Sequence, residues 1–116
     1  MKEKTITDQI LKYLKAQRCF AFKEHSGMYS TAGIPDIICC YKGQFMAFEV
    51  KTEKGKLSKL QEITIERIQQ AGGVAFKVTS VQEVKDILGK VLQKNKLQRS
   101  RNKGTKSQCA ENKVMK

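Results

Sequence analysis

Three charged residues in the first half of the chain have a spacing that could bring two carboxylates and an ammonium group together. Asp36 follows the only proline, and a single residue separates Glu49 from Lys51. A two-residue hairpin turn at 42–43, a role that X-Gly pairs fill well, would place Asp36 opposite Glu49 on neighbouring strands. Their Cβ atoms would then lie about 5 Å apart. Because side chains alternate along a strand, Lys51 would share the face of Glu49.

The chemistry of such a cluster follows from its charges. Two adjacent carboxylates repel each other unless a cation or a proton lies between them. Oxygen ligands suit Mg²⁺ or Mn²⁺, which keep several waters and accept phosphate oxygens. A lysine ammonium beside them can hold an attacking water or stabilise charge that develops on a phosphate. The pattern predicts a metal-dependent site for cleaving phosphodiester bonds, although Asp36 alone could simply be a polar residue at a strand start.

The elements that must position these residues can be predicted from apolar spacing. Apolar residues recur every three to five positions in 5–18, and a helix is predicted there. Serines at 58 and 80, each followed three residues later by Gln or Glu, fit capping boxes at two further helix starts. Strands are predicted at 19–23, 34–41, 44–52 and 74–79. This order predicts an α/β fold with a central mixed sheet flanked by helices.

The charge of the chain is strongly basic and unevenly distributed. Among 116 residues, 23 Lys and Arg stand against 11 Asp and Glu, for a formal net charge of +12. This excess favours a polyanionic partner, either nucleic acid or an anionic membrane surface. From residue 94 the apolar periodicity stops while basic residues continue, so we expect a folded domain over 1–93 and a disordered basic tail over 94–116.

Several classes of protein are disfavoured by the same sequence. No apolar run approaches the 18 residues that a membrane-spanning helix needs, and no apolar stretch typical of a secretory signal follows the N-terminus. The four cysteines form no C-x-x-C pair and only one histidine is present, which argues against a zinc site. We therefore expect no membrane association, and a reducing compartment.

The combined motifs resemble a known nuclease superfamily. The strings G-I-P-D at 33–36, E-V-K at 49–51 and L-S-K-L-Q at 57–61 are similar to those of the virus-type replication-repair nuclease (VRR-NUC) branch of the PD-(D/E)xK superfamily. The resemblance covers roughly residues 3–92. It implies a PD-(D/E)xK restriction-endonuclease-like core with the element order αβββαβα, which agrees with the order predicted from periodicity.

The resemblance also implies roles for residues at matching positions. Asp36 and Glu49 would bind the metal ion, Mg²⁺ or Mn²⁺, and the backbone carbonyl of Val50 would be a further ligand. Lys51 would be the catalytic lysine. These assignments agree with the chemistry expected from the hairpin register.

Two further positions carry alternatives. Gln61 matches a glutamine that the family places near the site and would join the catalytic group, but it is also the expected capping-box partner of Ser58. The family tends to place an acidic metal ligand on the first helix. Here that residue is Glu3 or Asp8, and Glu3 is preferred because it continues the apolar stripe toward the core.

A basic loop and a polar loop supply candidate DNA contacts. Lys54, Lys56 and Lys59 are predicted to contact the DNA backbone, with a solvated loop as the alternative. His25 lies in the polar stretch 24–33 and is a further candidate for DNA contact, although a lone loop histidine commonly has no such role.

Taken together, the residues and the resemblance predict a homodimeric, Mg²⁺- or Mn²⁺-dependent DNA endonuclease. The expected substrate is branched DNA, as for a Holliday junction resolvase of DNA repair, recombination or phage replication. Its expected location is the cytoplasm of a bacterial or phage-infected cell. The alternatives are a restriction- or mismatch-type nuclease of the same fold and a non-catalytic nucleic-acid-binding module.

Overall fold

Residues 1–24 and 32–101 are described by a computed structural model. Their elements follow the predicted order. In sequence these are α1 (Glu3–Ala16), β1 (Phe20–Lys23), β2 (Ile37–Tyr41), β3 (Gln44–Val50), α2 (Lys59–Gln70), β4 (Val74–Val78) and α3 (Val81–Arg101). Among the helices in these ranges, none is long and apolar enough to cross a membrane.

The four strands form one mixed sheet in the order β1-β2-β3-β4. The first three strands are antiparallel neighbours, and β4 lies parallel to β3. A parallel pair needs a crossover connection, which α2 supplies here. The predicted mixed sheet flanked by helices is therefore confirmed.

The hairpin between β2 and β3 has the predicted two-residue turn. Lys42 and Gly43 both have positive φ, at 50° and 83°, as a type I′ turn requires. Tyr41 consequently faces Gln44, and the register runs without a slip to Ile37 opposite Phe48. The turn thus fixes which side chains of the two strands lie side by side.

The sheet separates two apolar layers. On one face Met46, Phe48 and Val50 of β3 are fully buried, and α1, which contacts the first three strands, buries Ile6, Ile10 and Leu14. On the other face Ala47 and Ala75 pack against Ile65 of α2. Because β3 and β4 are parallel, their carboxyl ends lie at the same end of the sheet. The site described below is found at that end.

Most elements differ from the sequence predictions by one or more residues at an end, including α1, β2 and α3. Helix α1 begins at Glu3, two residues before the predicted start, because its first turn needs no apolar residue. Strand β2 begins at Ile37 rather than at residue 34, since Pro35 has no N–H for a ladder hydrogen bond. Helix α3 continues to Arg101, beyond the domain boundary predicted at residue 93, and the expected disorder of the tail stays a prediction.

The longer α3 has a simple explanation in helix propensity. Lys, Gln, Arg and Leu, which dominate its last turns, are good helix formers even without an apolar stripe.

The chain divides into two compact units, Met1–Lys85 and Asp86–Lys116. The first unit carries the whole sheet, and the second carries the remainder of α3. Residues 102–116 of the predicted tail lie outside the described residues.

Candidate active site

The structure brings Asp36 and Glu49 together at one end of the two inner strands, β2 and β3. Asp36 immediately precedes β2, and continuing the hairpin register by one pair places it opposite Glu49. The Oδ2 atom of Asp36 accepts a hydrogen bond of 3.0 Å from the backbone N–H of Val50. The hydrogen bonding and the charge of Asp36 both raise the pKa of Glu49. The two acids therefore form a real pair.

Glu49 is the most constrained of the charged groups. Only 3% of its surface is exposed, in a chain whose other buried residues are almost all apolar. The pKa of Glu49 is raised to about 8, mainly by burial and then by the hydrogen bond and charge of Asp36, while the charge of Lys51 opposes this rise. In the absence of a cation a proton is thus held between the carboxyl groups at neutral pH.

Lys51 lies beside this pair on the same side of the sheet. Its Nζ atom is 4.0 Å from Oε2 of Glu49, which is an ion-pair contact longer than a hydrogen bond. Its backbone N–H donates to the carbonyl of Val78 at 3.0 Å, which extends the pairing of β3 with β4 past Val50. The ammonium is thereby placed next to the carboxylates without being hydrogen-bonded to Glu49.

The Val50 carbonyl is oriented toward the acidic pair. In an extended strand the N–H and C=O of one residue point to the same side. The N–H of Val50 points to Asp36, so its carbonyl oxygen points to that side too. A backbone oxygen therefore lies on the same side as the two carboxylates, and its assignment as a metal ligand stays a prediction.

The first helix contributes Glu3 rather than Asp8. Helix α1 begins at Glu3, and the negative charge of Glu3 is one of the causes that raise the pKa of Glu49. Asp8 is exposed one turn later, and no effect of its charge on Glu49 is found. The buried hydroxyl of Thr7 donates to the Glu3 carbonyl at 2.8 Å and fixes this first turn. Glu3 is therefore the acid of α1 that reaches the site electrostatically.

These donors suit one class of metal ion. Over residues 1–24 and 32–101, no three or more His, Cys, Asp or Glu side chains are grouped closely enough to hold a metal by themselves. The donor set is two carboxylates and one carbonyl, all oxygen. Mg²⁺ is commonly bound through one or two carboxylates and keeps several of its waters. A buried carboxyl pair that retains a proton fits a divalent ion of this kind, because the ion would replace the proton.

Gln61 is engaged in capping α2. Its Oε1 atom accepts a hydrogen bond of 2.9 Å from the N–H of Ser58, and its own N–H donates to Oγ of Ser58 at 3.1 Å. This reciprocal pair is the capping box that the S-K-L-Q string predicts. The catalytic assignment of Gln61 stays a prediction.

Two variants separate capping from catalysis at this position. We expect Ser58→Ala and Gln61→Ala each to lower the free energy of unfolding by about 1 kcal/mol, because each removes one half of the capping box. If Gln61 only caps, both variants cut DNA at equal rates in single-turnover assays. A slower rate for Gln61→Ala alone would show that the glutamine takes part in the reaction.

The structure describes three of the four predicted DNA contacts. Lys54 and Lys56 are exposed in the loop between β3 and α2, and Lys59 is exposed at the start of α2. His25 lies outside the described residues. The three lysines therefore lie in the loop and the helix start that directly follow the strand carrying Glu49.

Gly33 is a positioning residue that the sequence analysis noted only as part of a motif. Its φ is +85°, and a Cβ atom there would lie 2.8 Å from Cγ of Leu60 and 2.9 Å from Oγ1 of Thr64. The segment before Asp36 can approach α2 this closely only with glycine at that position. The G-x-P-D string thus has a packing reason.

Comparisons with known proteins agree with this geometry. A family model of the VRR-NUC domain matches residues 2–83. A solved VRR-NUC domain has a TM-score of 0.64 at 22% identity and covers 75% of this chain and 94% of its own. A second VRR-NUC domain protein has a TM-score of 0.63 at 17% identity, covering 77% of this chain and 86% of its own.

A third solved structure is a Holliday junction resolvase, Hjc, from the archaeal hyperthermophile Archaeoglobus fulgidus. It has a TM-score of 0.51 at 21% identity and covers 66% of this chain and 67% of its own, a likeness of fold. No match is found among curated protein sequences. The family match extends over well more than half of the chain and includes Asp36, Glu49 and Lys51. The chain therefore belongs to the VRR-NUC family of nucleases.

Proposed function

We propose that this nuclease is a Mg²⁺- or Mn²⁺-dependent DNA endonuclease that cuts branched DNA, in the manner of a Holliday junction resolvase. The observation that carries the proposal is the buried pair of Asp36 and Glu49 with the Lys51 ammonium beside it. A buried ionised carboxyl pair destabilises a fold unless a cation or a proton neutralises it. Phosphodiester cleavage is a reaction in which a divalent ion and a neighbouring ammonium can act together. The solved structures of similar fold include a Holliday junction resolvase, Hjc, which supports the proposal of a junction substrate.

The residues of the site divide the work of in-line displacement at phosphorus. Asp36, Glu49 and the Val50 carbonyl would hold the ion, which supplies Lewis-acid polarisation of the phosphate when bound. Nζ of Lys51 donates hydrogen bonds to the attacking water and so keeps it aligned with the phosphorus atom. The same ammonium stabilises negative charge that develops on the phosphate oxygens. Burial of Glu49 strengthens these interactions because bulk water is excluded from one side of the site.

The surface of the chain suits the DNA backbone more than base edges. Lys54, Lys56 and Lys59 are exposed in the segment that follows β3, and the whole chain carries a net charge of +12. Lysine ammonium groups bind phosphates as point charges and read little sequence. Selection would therefore rest on the shape of the DNA.

We further propose that the protein is a homodimer joined through an apolar part of the sheet. Phe20 and Cys40 are cross-strand partners, as are Cys40 and Phe45, so these three side chains share one face. Phe20 is 72% exposed, and its ring packs edge-to-face against Phe22 at 5.9 Å. Exposed aromatic residues in a row favour a protein interface. A two-fold dimer would present two sites to a junction of matching symmetry.

A cleavage assay tests the proposed activity. The purified protein is incubated with a four-way junction, a flap and a plain duplex, each with Mg²⁺, Mn²⁺ or EDTA. We expect cutting of the junction in both metals and none in EDTA. Cutting of the duplex at a defined sequence would favour a restriction-type nuclease, whereas binding to DNA without cutting in either metal would favour a non-catalytic binding module.

The dimer has a matched pair of variants. Phe20→Ser should convert the protein to a monomer in light scattering, because it removes the most exposed aromatic side chain of the patch. Phe76→Ser is the control, since Phe76 is 44% exposed and pairs with Phe48 on the opposite face. A wild-type monomer, or dissociation by Phe76→Ser alone, would contradict the proposed interface.

We propose a reducing, cytoplasmic location for the protein. Cys19, Cys39 and Cys40 are free thiols. Burial raises the pKa of Cys39 to about 12, so this thiol has almost no reactive thiolate form. A cytoplasm is also where the proposed DNA substrate is found.

A further inference from the structure

Lys77 has an unusual place in the sheet. It lies on β4 directly beside Glu49 in the parallel register of β3 and β4. A lysine at this position could pair with the buried carboxyl group. Its Nζ atom instead donates a hydrogen bond of 3.0 Å to the backbone carbonyl of Gly55, in the loop that follows β3. The half-buried ammonium of Lys77 is thus bound to the main chain of a loop.

Gly55 in turn contacts the proposed catalytic lysine. Its N–H donates to the carbonyl of Thr52 at 2.9 Å and closes a tight turn after Lys51. A Cβ atom built at Gly55 would lie 3.2 Å from Cβ and 3.4 Å from Cδ of Lys51. The backbone at Gly55 is therefore packed against the aliphatic stem of Lys51, with no room for a larger residue unless that stem moves.

These contacts form a short chain from one lysine to the other. We infer that Lys77 is a positioning residue for Lys51, acting through the carbonyl of Gly55. The bond from Lys77 holds Gly55 against the stem of Lys51, and the stem in turn directs the Lys51 ammonium to its place 4.0 Å from Glu49. A lysine side chain has four rotatable bonds, so a fixed wall beside it limits where its ammonium goes. This inference rests on the proposed function, in which Lys51 orients the attacking water.

The same loop also carries Lys54 and Lys56, which are proposed DNA contacts. If Lys77 served only to hold these two lysines near DNA, its loss would weaken DNA affinity and leave the cleavage rate of bound DNA unchanged. If Lys77 acts through Lys51, its loss slows cleavage of bound DNA and leaves affinity unchanged. DNA affinity and the cleavage rate of bound DNA therefore distinguish the two roles of Lys77.

The first experiment is a double-mutant cycle in single-turnover cleavage with Mg²⁺ and saturating protein. Lys77→Met should slow cleavage about tenfold, because a misplaced catalytic group commonly costs that much or more. Lys77→Arg should restore most of the rate, since its guanidinium can also donate to the Gly55 carbonyl. In the Lys51→Ala background, Lys77→Met should have no further effect. The control Lys23→Met, on the exposed end of β1, should leave the rate unchanged.

Two outcomes of this cycle would overturn the inference. One is a soluble, folded Lys77→Met protein that cuts at the wild-type rate. The other is an equal loss from Lys77→Met with and without Lys51, which would mean that Lys77 acts independently of that residue. Full activity of Lys51→Ala would instead refute the proposed function itself. The cleavage rate of Lys51→Ala is therefore measured before the rate of Lys77→Met is interpreted.

A second measurement does not depend on activity. In NMR spectra of ¹³C-labelled protein, a lysine side chain held in one orientation shows two separate Hε resonances. We expect two such resonances for Lys51 in the wild type and one averaged resonance in Lys77→Met. Gly55→Ala should shift the Lys51 resonances directly, because its methyl group would press on the stem. Identical Lys51 signals in the wild type and Lys77→Met would contradict the inference.

Discussion

We expect the Lys51→Ala protein to bind branched DNA as tightly as the wild type and to cut it on the order of 10²–10³-fold more slowly, the usual cost of removing one preorganised electrostatic group. Glu49→Ala reduces cleavage further, because it removes a proposed ligand of the divalent ion. We expect neither change to unfold the protein, since Lys51 is partly exposed and Glu49→Ala removes a carboxyl group whose ionisation is opposed by burial. Single-turnover cleavage with saturating protein measures the rate, and electrophoretic mobility shift in Ca²⁺ measures binding.

A lysine of the same loop supplies the matched control. Lys54 is three residues from Lys51 and is exposed. Lys54→Ala should lower DNA affinity and reduce the salt dependence of binding, while bound DNA is still cut at the wild-type rate. If Lys51→Ala behaves like Lys54→Ala, the ammonium of Lys51 contributes to binding alone and has no part in the reaction.

The acidic pair could be located from the sequence because a short turn fixes its geometry. A two-residue turn leaves one register for the strands, and the Lys-Gly pair at 42–43 indicates that turn. Once Tyr41 is opposite Gln44, the positions of Asp36 and Glu49 follow by counting. The capping box at Ser58 is equally local and was predicted for the same reason.

Other features depend on contacts that no local pattern indicates. The bond from Lys77 to Gly55 requires the conformation of the loop after β3, which has no apolar periodicity to follow. The packing of Gly33 against α2 depends on the angle at which the loop meets the helix. The raised pKa of Glu49 comes from burial by the surrounding elements together. These contacts complete the geometry of the candidate site, and the sequence motif alone does not indicate them.

The free energy of unfolding of the metal-free protein falls as the pH rises from about 4.5 to about 8. The ordinary pKa of a glutamate is 4.5, and in the folded chain burial and Asp36 raise the pKa of Glu49 to about 8. Between these two values the folded protein holds a proton that the unfolded chain has released. Raising the pH therefore favours unfolding, and the loss is complete once Glu49 is ionised in both states.

The Glu49→Gln variant isolates this contribution. Glutamine has nearly the same shape and stays neutral, so the pH-dependent loss is absent from the variant. At pH 8 in EDTA the variant should be more stable than the wild type by on the order of 5 kcal/mol, because the pKa of Glu49 is raised from 4.5 to about 8 and each pKa unit corresponds to about 1.4 kcal/mol. At pH 4.5 the two proteins should differ little, because Glu49 is then protonated as well. Urea unfolding at several pH values in EDTA measures both differences.

Addition of Mg²⁺ should reverse the order of the two proteins at pH 8. The ion takes the place of the proton between Asp36 and Glu49, and any ligand that binds only the folded state stabilises it. The wild type should therefore gain stability with Mg²⁺ concentration, and gain less at pH 6, where a proton competes for Glu49. Glu49→Gln should gain little at either pH. If the free energy of unfolding of the two proteins has the same pH dependence in EDTA, Glu49 is ionised even without a cation. Burial of its carboxylate would then not destabilise the fold, and the physical reason to expect a divalent ion at this site would be lost.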